Sequence, residues 1–392
     1  MRVLHLIDIW DASYERDQIK LIEYLGKKKE YEFTIITSMH DDNFRRRKRD
    51  FFKNMDADFP YVKIYRKFSI DFKLYGFHNA ILYAPSLKIF DEYDIVHAYG
   101  LGSYSSFLAS FLKKTNSKIK FVMRSDLSWQ TYERMVASRN YKNLLLYPLK
   151  LADGVYAYTE KEKNYLVNLG LGLDKIRKIP VGITYSRYEQ ARKRKLDRMI
   201  ELNALSDNQR KKITFGYLGR LHYDKGPDRL IGPFAKLKSE YPGLEILFSG
   251  PESDAKYAKE VLGKLRNIGA KYLGFIPNEK KVEFLGDVDV IFVPSRVETG
   301  AIVALESMAS GCAVIAIDES PMNEYIIDGE NGLLAKNEDE IYNKAKHLLD
   351  SPNEIFRFGK NAQESAKKYD WEKIAEYIAK FYDDIGGKSV ER

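Results

Sequence analysis

The 392-residue sequence has a single cysteine, so no intrachain disulfide can form, and the framework of a small secreted scaffold is excluded. Cys312 lies inside an apolar run and reads as a small core residue in a reducing compartment, not as a catalytic thiol. No apolar run reaches the roughly 18–20 residues of a membrane span. No charged-then-apolar leader opens the chain, which runs straight into a strand-like segment. Zinc-ligand spacing, basic-zipper heptads and an RNA-binding aromatic signature are all missing, which removes the usual nucleic-acid modules. These absences lead us to expect a cytoplasmic globular protein that does not bind nucleic acid.

The sequence is rich in charge. Lys and Arg number 64 and Asp and Glu 56, a net charge of +8, which permits phosphorylated ligands or an anionic membrane as partners. A hydrophobic fraction of 44% over this length supplies core for two domains. The 28 Tyr and 21 Phe are spread along the chain and mark no single stacking platform.

The stretch from Val288 to Ala316 organises the reading. Val288 to Val293 is a nearly continuous β-branched and apolar run, the pattern of a parallel strand buried on both faces. Pro294 ends it. Ala301 to Ala309 are mostly good helix formers, and Gly311 sits where a helix C′ residue belongs. A helix that begins at the carboxyl end of a parallel strand offers free N–H groups and partial positive charge to a phosphate. Glu298 lies in the loop before this helix and Glu306 in its second turn. Two glutamates eight apart could equally be surface charges; the strand–loop–helix–glycine–strand setting is what favours a ligand site.

Apolar strand segments alternate with helical periodicity in two series. The first comprises residues 2–9, 31–37, 94–99, 118–123, 154–158 and 176–181, with helices near 15–28 and 103–114 and one from Thr159. The second restarts at 213–218 and continues at 244–248, 288–293 and 313–317. Between them, 186–212 is strongly cationic and reads as a linker or a solvated helix. Ile374, Tyr377, Ile378 and Phe381 recur at helical spacing in the last helix, near 371–384. The fold class expected is α/β, two Rossmann-like domains facing a cleft, with boundaries at 1–183, 184–370 and a C-terminal helix, 371–392, packing back on the first domain.

Four blocks in fixed order resemble the retaining GT-B glycosyltransferases of family 4 (glycosyl transferases group 1). They are Gly219-Arg220 with Lys225-Gly226, Phe248-Ser249-Gly250-Pro251, Leu273-Gly274-Phe275-Ile276-Pro277, and Glu298 to Glu306, similar to the family's E-x7-E block. Weaker echoes are Asp94 to His97, Ile179 to Ile183, and Glu324 with Gly329 to Leu334. The resemblance implies that 184–370 binds a nucleotide-sugar donor and 1–183 a saccharide or lipid-linked acceptor, with retention of configuration. It implies that Arg220 and Lys225 clamp the diphosphate and stabilise the leaving group, and that Glu298 faces the sugar. Glu306 would accept from the ribose. Gly219, Gly250, Gly300, Ala301 and the N–H groups of Ile302 and Val303 would line the phosphates, and the backbone near Phe275 and Ile276 the base. No Asp-x-Asp motif accompanies a donor block, so metal independence is expected, and no cofactor.

Two departures concern the first domain. The family's Gly-Gly turn after the first strand is replaced by Trp10 to Asp17, without glycine. Its His after the fifth strand is replaced by Met123-Arg124-Ser125-Asp126. Arg124 and Asp126 are candidate acceptor or sugar contacts, or ordinary strand-end charges; His97 reads as core. In 44–55, Phe44, Phe51, Phe52 and Met55 share one helical face and the rest is mostly cationic. That pattern suits an interfacial helix on an anionic leaflet, or a domain-surface helix with its Phe face inward. Two further readings stay open: a nucleotide-sugar epimerase of the same fold, and an inactive GT-B-shaped binding protein.

Overall fold

The computed structural model of the chain describes residues 1–10, 17–40, 48–67, 69–72, 80–83, 92–204, 213–318 and 321–387. Two compact units result, Met1–Val181 with Trp371–Arg392, and Gly182–Asp370.

In the first unit the order is β1 (Arg2–Ile7), α1 (Asp17–Gly26), β2 (Glu32–Ser38), α2 (Arg49–Ala57), β3 (Val62–Lys67), β4 (Ser69–Phe72), β5 (Ala80–Tyr83), β6 (Ile95–Tyr99) and α3 (Tyr104–Thr115). It continues with β7 (Lys120–Arg124), α4 (Trp129–Ala137), α5 (Arg139–Leu151), β8 (Gly154–Ala157), α6 (Glu160–Asn168) and β9 (Ile176–Lys178). Among the described residues the main sheet has seven strands in the order β3-β2-β1-β6-β7-β8-β9. β1 pairs with both β2 and β6 in parallel, so the strand order reverses between β1 and β6. Leu4, Val96, Phe121 and Val155 from the strands pack with Leu108, Leu112, Leu149 and Leu166 from the helices, an apolar layer buried as a parallel sheet requires.

The second unit opens with α7 (Glu189–Ala204). Then come β10 (Thr214–Leu218), α8 (Ile231–Glu240), β11 (Glu245–Ser249), α9 (Ala255–Asn267), β12 (Lys271–Tyr272), α10 (Asn278–Asp287), β13 (Val290–Val293), α11 (Ile302–Ala309) and β14 (Ala313–Ile317). β15 (Leu333–Ala335), α12 (Glu338–Asp350) and α13 (Pro352–Ala366) complete it. The sheet order is β12-β11-β10-β13-β14-β15 among the described residues. The chain runs outward from β10, then returns to place β13 on its other side, so this sheet reverses between β10 and β13. Phe215, Phe234 and Phe292 form its aromatic centre, with Phe234 edge-on to Phe292 at 4.9 Å. Cys312 is buried elsewhere in the unit, its Sγ 3.2 and 3.3 Å from the Leu285 and Val288 carbonyl oxygens, and burial pushes its thiol up to about 11.

α14 (Trp371–Gly386) belongs to the first unit. Ile374, Ile378 and Phe381 are buried, but Tyr377 is exposed and lies off the face assigned to it. Tyr382 takes its place in the core, with its hydroxyl 2.6 Å from Nδ1 of the buried His97.

The structure decides between the readings of two charged segments. Of the linker and the solvated helix, the cationic segment after 186 is the helix up to Ala204: it forms α7, with Lys193 and Arg194 exposed and two other cations turned inward. Arg198 meets the buried Asp289 at 2.7 Å, and Lys195, also buried, lies 3.9 Å from it. Residues 205–212 lie outside the described residues. In α2, Phe52 is fully buried with the Arg66 guanidinium 3.6 Å above its ring, while Phe51 is exposed. These two residues therefore do not share one outward face; Phe44 to Arg47 lie outside the described residues, as do 11–16 of the glycine-free turn.

Candidate active site

The carboxyl ends of β10 and β13, where the second sheet reverses, are where an open α/β sheet presents a ligand crevice. Two glycines set the backbone there. Gly226 has φ +64°, and a Cβ on it would lie 2.2 Å from the Pro294 carbonyl oxygen. A Cβ on Gly250 would lie 1.8 Å from the Gly219 carbonyl oxygen. Only glycine permits these approaches. The Gly250 N–H donates to the Gly274 carbonyl at 3.0 Å, which joins the Leu273–Pro277 segment to the same edge. Phe275 is 64% exposed and Ile276 half-buried on that segment.

The Lys225 turn and the Glu298 loop are tied together. Arg296 and Val297 donate their N–H groups to the Asp224 carbonyl at 2.8 and 3.1 Å. Arg296 forks onto both oxygens of Asp228, each at 2.8 Å, with Tyr223 beneath its guanidinium at 4.1 Å. Burial pushes the Asp228 carboxyl up, but hydrogen bonds from Arg296 and Tyr257 outweigh it and hold the group below the usual range. On this frame Lys225 Nζ donates to Glu298 Oε1 at 2.7 Å, and Ser295 Oγ donates to the same oxygen at 2.8 Å. Glu298 Oε2 has no partner among the described residues. Arg220 is exposed and makes no ion pair among the described residues.

α11 starts from the buried pair Gly300–Ala301. Ala301 is its N-cap in the left-handed region, φ +48°, with no side-chain cap. A non-glycine residue there is uncommon and its strain marks functional positions. The N–H groups of Ile302 and Val303 find no acceptor among the described residues. Glu306, 5% exposed, is held by Lys281 Nζ at 3.0 and 3.1 Å. A carboxylate has about four lone-pair sites, so it keeps capacity for hydroxyls. The structure thus brings Gly219, Lys225, Gly250, Glu298, Gly300, Ala301 and the α11 start together on one edge.

Arg124 and Asp126 form a separate cluster in the first unit. Arg124 donates to Asp126 at 2.6 Å and to Asp17, which also accepts from the Tyr158 hydroxyl. Asp126 has φ +52°. Behind them Glu162, 4% exposed, accepts from the N–H groups of Leu127 and Tyr158 at 2.7 and 2.8 Å and from the Ser125 hydroxyl. Burial pushes its carboxyl up to about 7. Sequence reading missed Asp17, Tyr158, Glu162, Lys281, Ser295 and the Arg296–Asp228 fork. Only Glu162 left a signal, as the N3 acid three residues after the Thr159 cap.

Two family models match this chain, Glycosyltransferase Family 4 over residues 19–187 and Glycosyl transferases group 1 over residues 201–365. The D-inositol 3-phosphate glycosyltransferase of Corynebacterium diphtheriae is 29% identical over 180 residues, 44% of this chain and 42% of that protein. The glycogen synthase of Mycobacterium tuberculosis is 22% identical over 325 residues, 80% of this chain and 69% of that protein. Among solved structures, Anabaena HepE in complex with UDP and glucose aligns with a TM-score of 0.72 at 16% identity, covering 98% of this chain and 100% of that one. The glycosyltransferase of Rickettsia africae aligns equally well, at 0.72 and 16% identity over 99% of each chain. These likenesses show the fold, two parallel-sheet α/β domains of the GT-B class.

Proposed function

For a chain that carries a Glycosyltransferase Family 4 domain followed by a Glycosyl transferases group 1 domain, we propose transfer of a sugar from a nucleotide-sugar donor to a saccharide or lipid-linked acceptor, with retention of configuration. The observation that carries it is the Lys225–Glu298 pair, set at the sheet reversal beside a helix start with no side-chain cap and an exposed Arg220 that makes no ion pair among the described residues. That HepE was solved with UDP and with UDP-glucose supports a nucleotide-sugar as the ligand.

The donor diphosphate would lie between Arg220, Lys225 and the N–H groups of Ile302 and Val303. Charge that develops on the leaving phosphate is stabilised there by donors already in place. Lys225 shifts from Glu298 toward the phosphate, and the released Glu298 carboxylate accepts from the sugar hydroxyls. Glu306 takes the ribose. Neither a metal nor a cofactor enters this scheme, and the protein acts in the cytoplasm.

Donor hydrolysis without acceptor tests the chemistry. With UDP-α-glucose, proton NMR is expected to show the α anomer released first and no release by Glu298→Gln. Release of the β anomer first would contradict retention, and unchanged release by the variant would remove Glu298 from the mechanism.

A further inference from the structure

Trp129, Tyr132 and Tyr165 form an aromatic cluster outside the transfer site, in which the two tyrosines pack against the core of the first unit and Trp129 does not. Trp129 is the first residue of α4, directly after the loop that carries Asp126 and that follows Arg124, the last residue of β7. Tyr132 follows one turn later on the same helix face. Tyr165 comes from α6, which starts at the carboxyl end of the neighbouring strand β8. Tyr132 stacks on Tyr165 with centroids 4.5 Å apart and planes at 18°, and Trp129 lies 5.8 Å from Tyr132 at 29°. The cluster thus stands on the edge of the parallel sheet where ligands bind.

Trp129 is 47% exposed, whereas Trp10 and Trp371 are 0% and 4% exposed. Its ring packs against both tyrosines, with the Tyr165 centroid at 5.6 Å, and nearly half of its surface stays exposed. A large, rigid, open aromatic face beside a charged cluster matches one ligand chemistry well. A pyranose presents polarised C–H bonds on one face, which the negative face of an aromatic ring attracts. Its hydroxyls lie at the rim and need charged acceptors and donors. Asp126, part-exposed and held in the left-handed region, and Arg124 supply both within five residues of Trp129.

We propose that Trp129, braced by Tyr132 and Tyr165, is a sugar-stacking subsite, so that the acceptor is a carbohydrate whose ring lies on Trp129 with its hydroxyls toward Asp126. This rests on the transferase reading and names its acceptor class.

As the exposed tryptophan, Trp129 reports on its own site. Emission and acrylamide quenching of the full chain are measured with glucose, galactose, mannose, N-acetylglucosamine and their α- and β-linked disaccharides. At least one sugar is expected to blue-shift the emission and protect it from the quencher. With that sugar as acceptor, Trp129→Ala is expected to raise the acceptor KM at least tenfold and leave kcat within about twofold, with Trp129→Phe close to wild type. No spectral response to any sugar overturns the proposal, as does an unchanged KM in Trp129→Ala. So does emission that shifts only with protein concentration, which makes the face a contact between copies. Stabilisation by UDP, GDP and ADP, measured alongside, separates the outcomes: if one of them acts and no sugar does, the subsite fails alone, and if none acts, the donor reading fails.

Discussion

Lys225 Nζ lies 2.7 Å from Glu298 Oε1, and the two residues come from loops after β10 and β13, the strands between which the sheet order reverses. Without ligand each neutralises the other, so neither charge stands alone in a part-buried crevice. A bound diphosphate competes for the lysine and releases the carboxylate. Removing the lysine therefore costs the phosphate its charge partner and leaves Glu298 unpaired. Lys225→Ala is expected to lower kcat by about 10²–10³-fold, the range for a lost transition-state donor. A change confined to KM would show that Lys225 only binds.

Glu306 presents a second competition. Its carboxylate is held by Lys281, yet the ribose of a nucleotide needs the same oxygens. Glu306→Gln is expected to weaken UDP binding about tenfold or more by calorimetry, since a hydrogen bond to a charged group is worth about 1.5–3 kcal/mol. The two residues touch, so Lys281→Ala and Glu306→Gln should be non-additive in a double-mutant cycle. Equal UDP affinity in Glu306→Gln would place the ribose elsewhere.

The strand–loop–helix centred on Glu298 was legible because its apolar β-branched run, proline, helix formers and glycine all mark local structure. β3 was not, because Val62-Lys63-Ile64-Tyr65-Arg66-Lys67 is a half-exposed edge strand that alternates with charge, and β12 and β15 are too short for any period. α7 read as a linker or a solvated helix, without the choice being made, because composition cannot show that Arg198 meets a buried Asp289 91 residues away. The Arg124 cluster was half-visible for the same reason. Its partner Asp17 lies 107 positions distant in sequence, and only the fold makes them neighbours.

Glu162 gives the protein a pH dependence. Its carboxyl is raised from 4.5 to about 7 by burial, so the fold favours the neutral acid. Between those values the folded chain keeps a proton that the unfolded chain has lost, and stability falls as pH rises through the window. Stability is expected to fall from pH 4.5 to 7, by about 3 kcal/mol at most from this group and read as a falling thermal midpoint, and Glu162→Gln to flatten part of that slope. Asp8, raised to about 6 mainly by desolvation, acts in the same direction and keeps some slope in the variant. An identical slope in Glu162→Gln would mean that Glu162 is ionised throughout.

The run Arg45-Arg46-Arg47-Lys48-Arg49 keeps its charge although Phe52 is buried. Co-sedimentation with anionic phospholipid vesicles is expected to fall with salt and to be lost in Arg45/Arg46/Arg47→Glu, as each cation near such a surface contributes roughly 1 kcal/mol. Equal binding by wild type and variant would exclude the segment as a membrane contact.

Thermal stabilisation by UDP, GDP and ADP, compared between wild type and Lys225→Ala, tests the donor site most directly. One nucleoside diphosphate is expected to raise the wild-type midpoint, by about 2.7 kcal/mol of stability at a hundredfold excess over Kd, and to have little effect on Lys225→Ala. A wild type that responds to none of the three would contradict the account, as would a variant stabilised as strongly as the wild type.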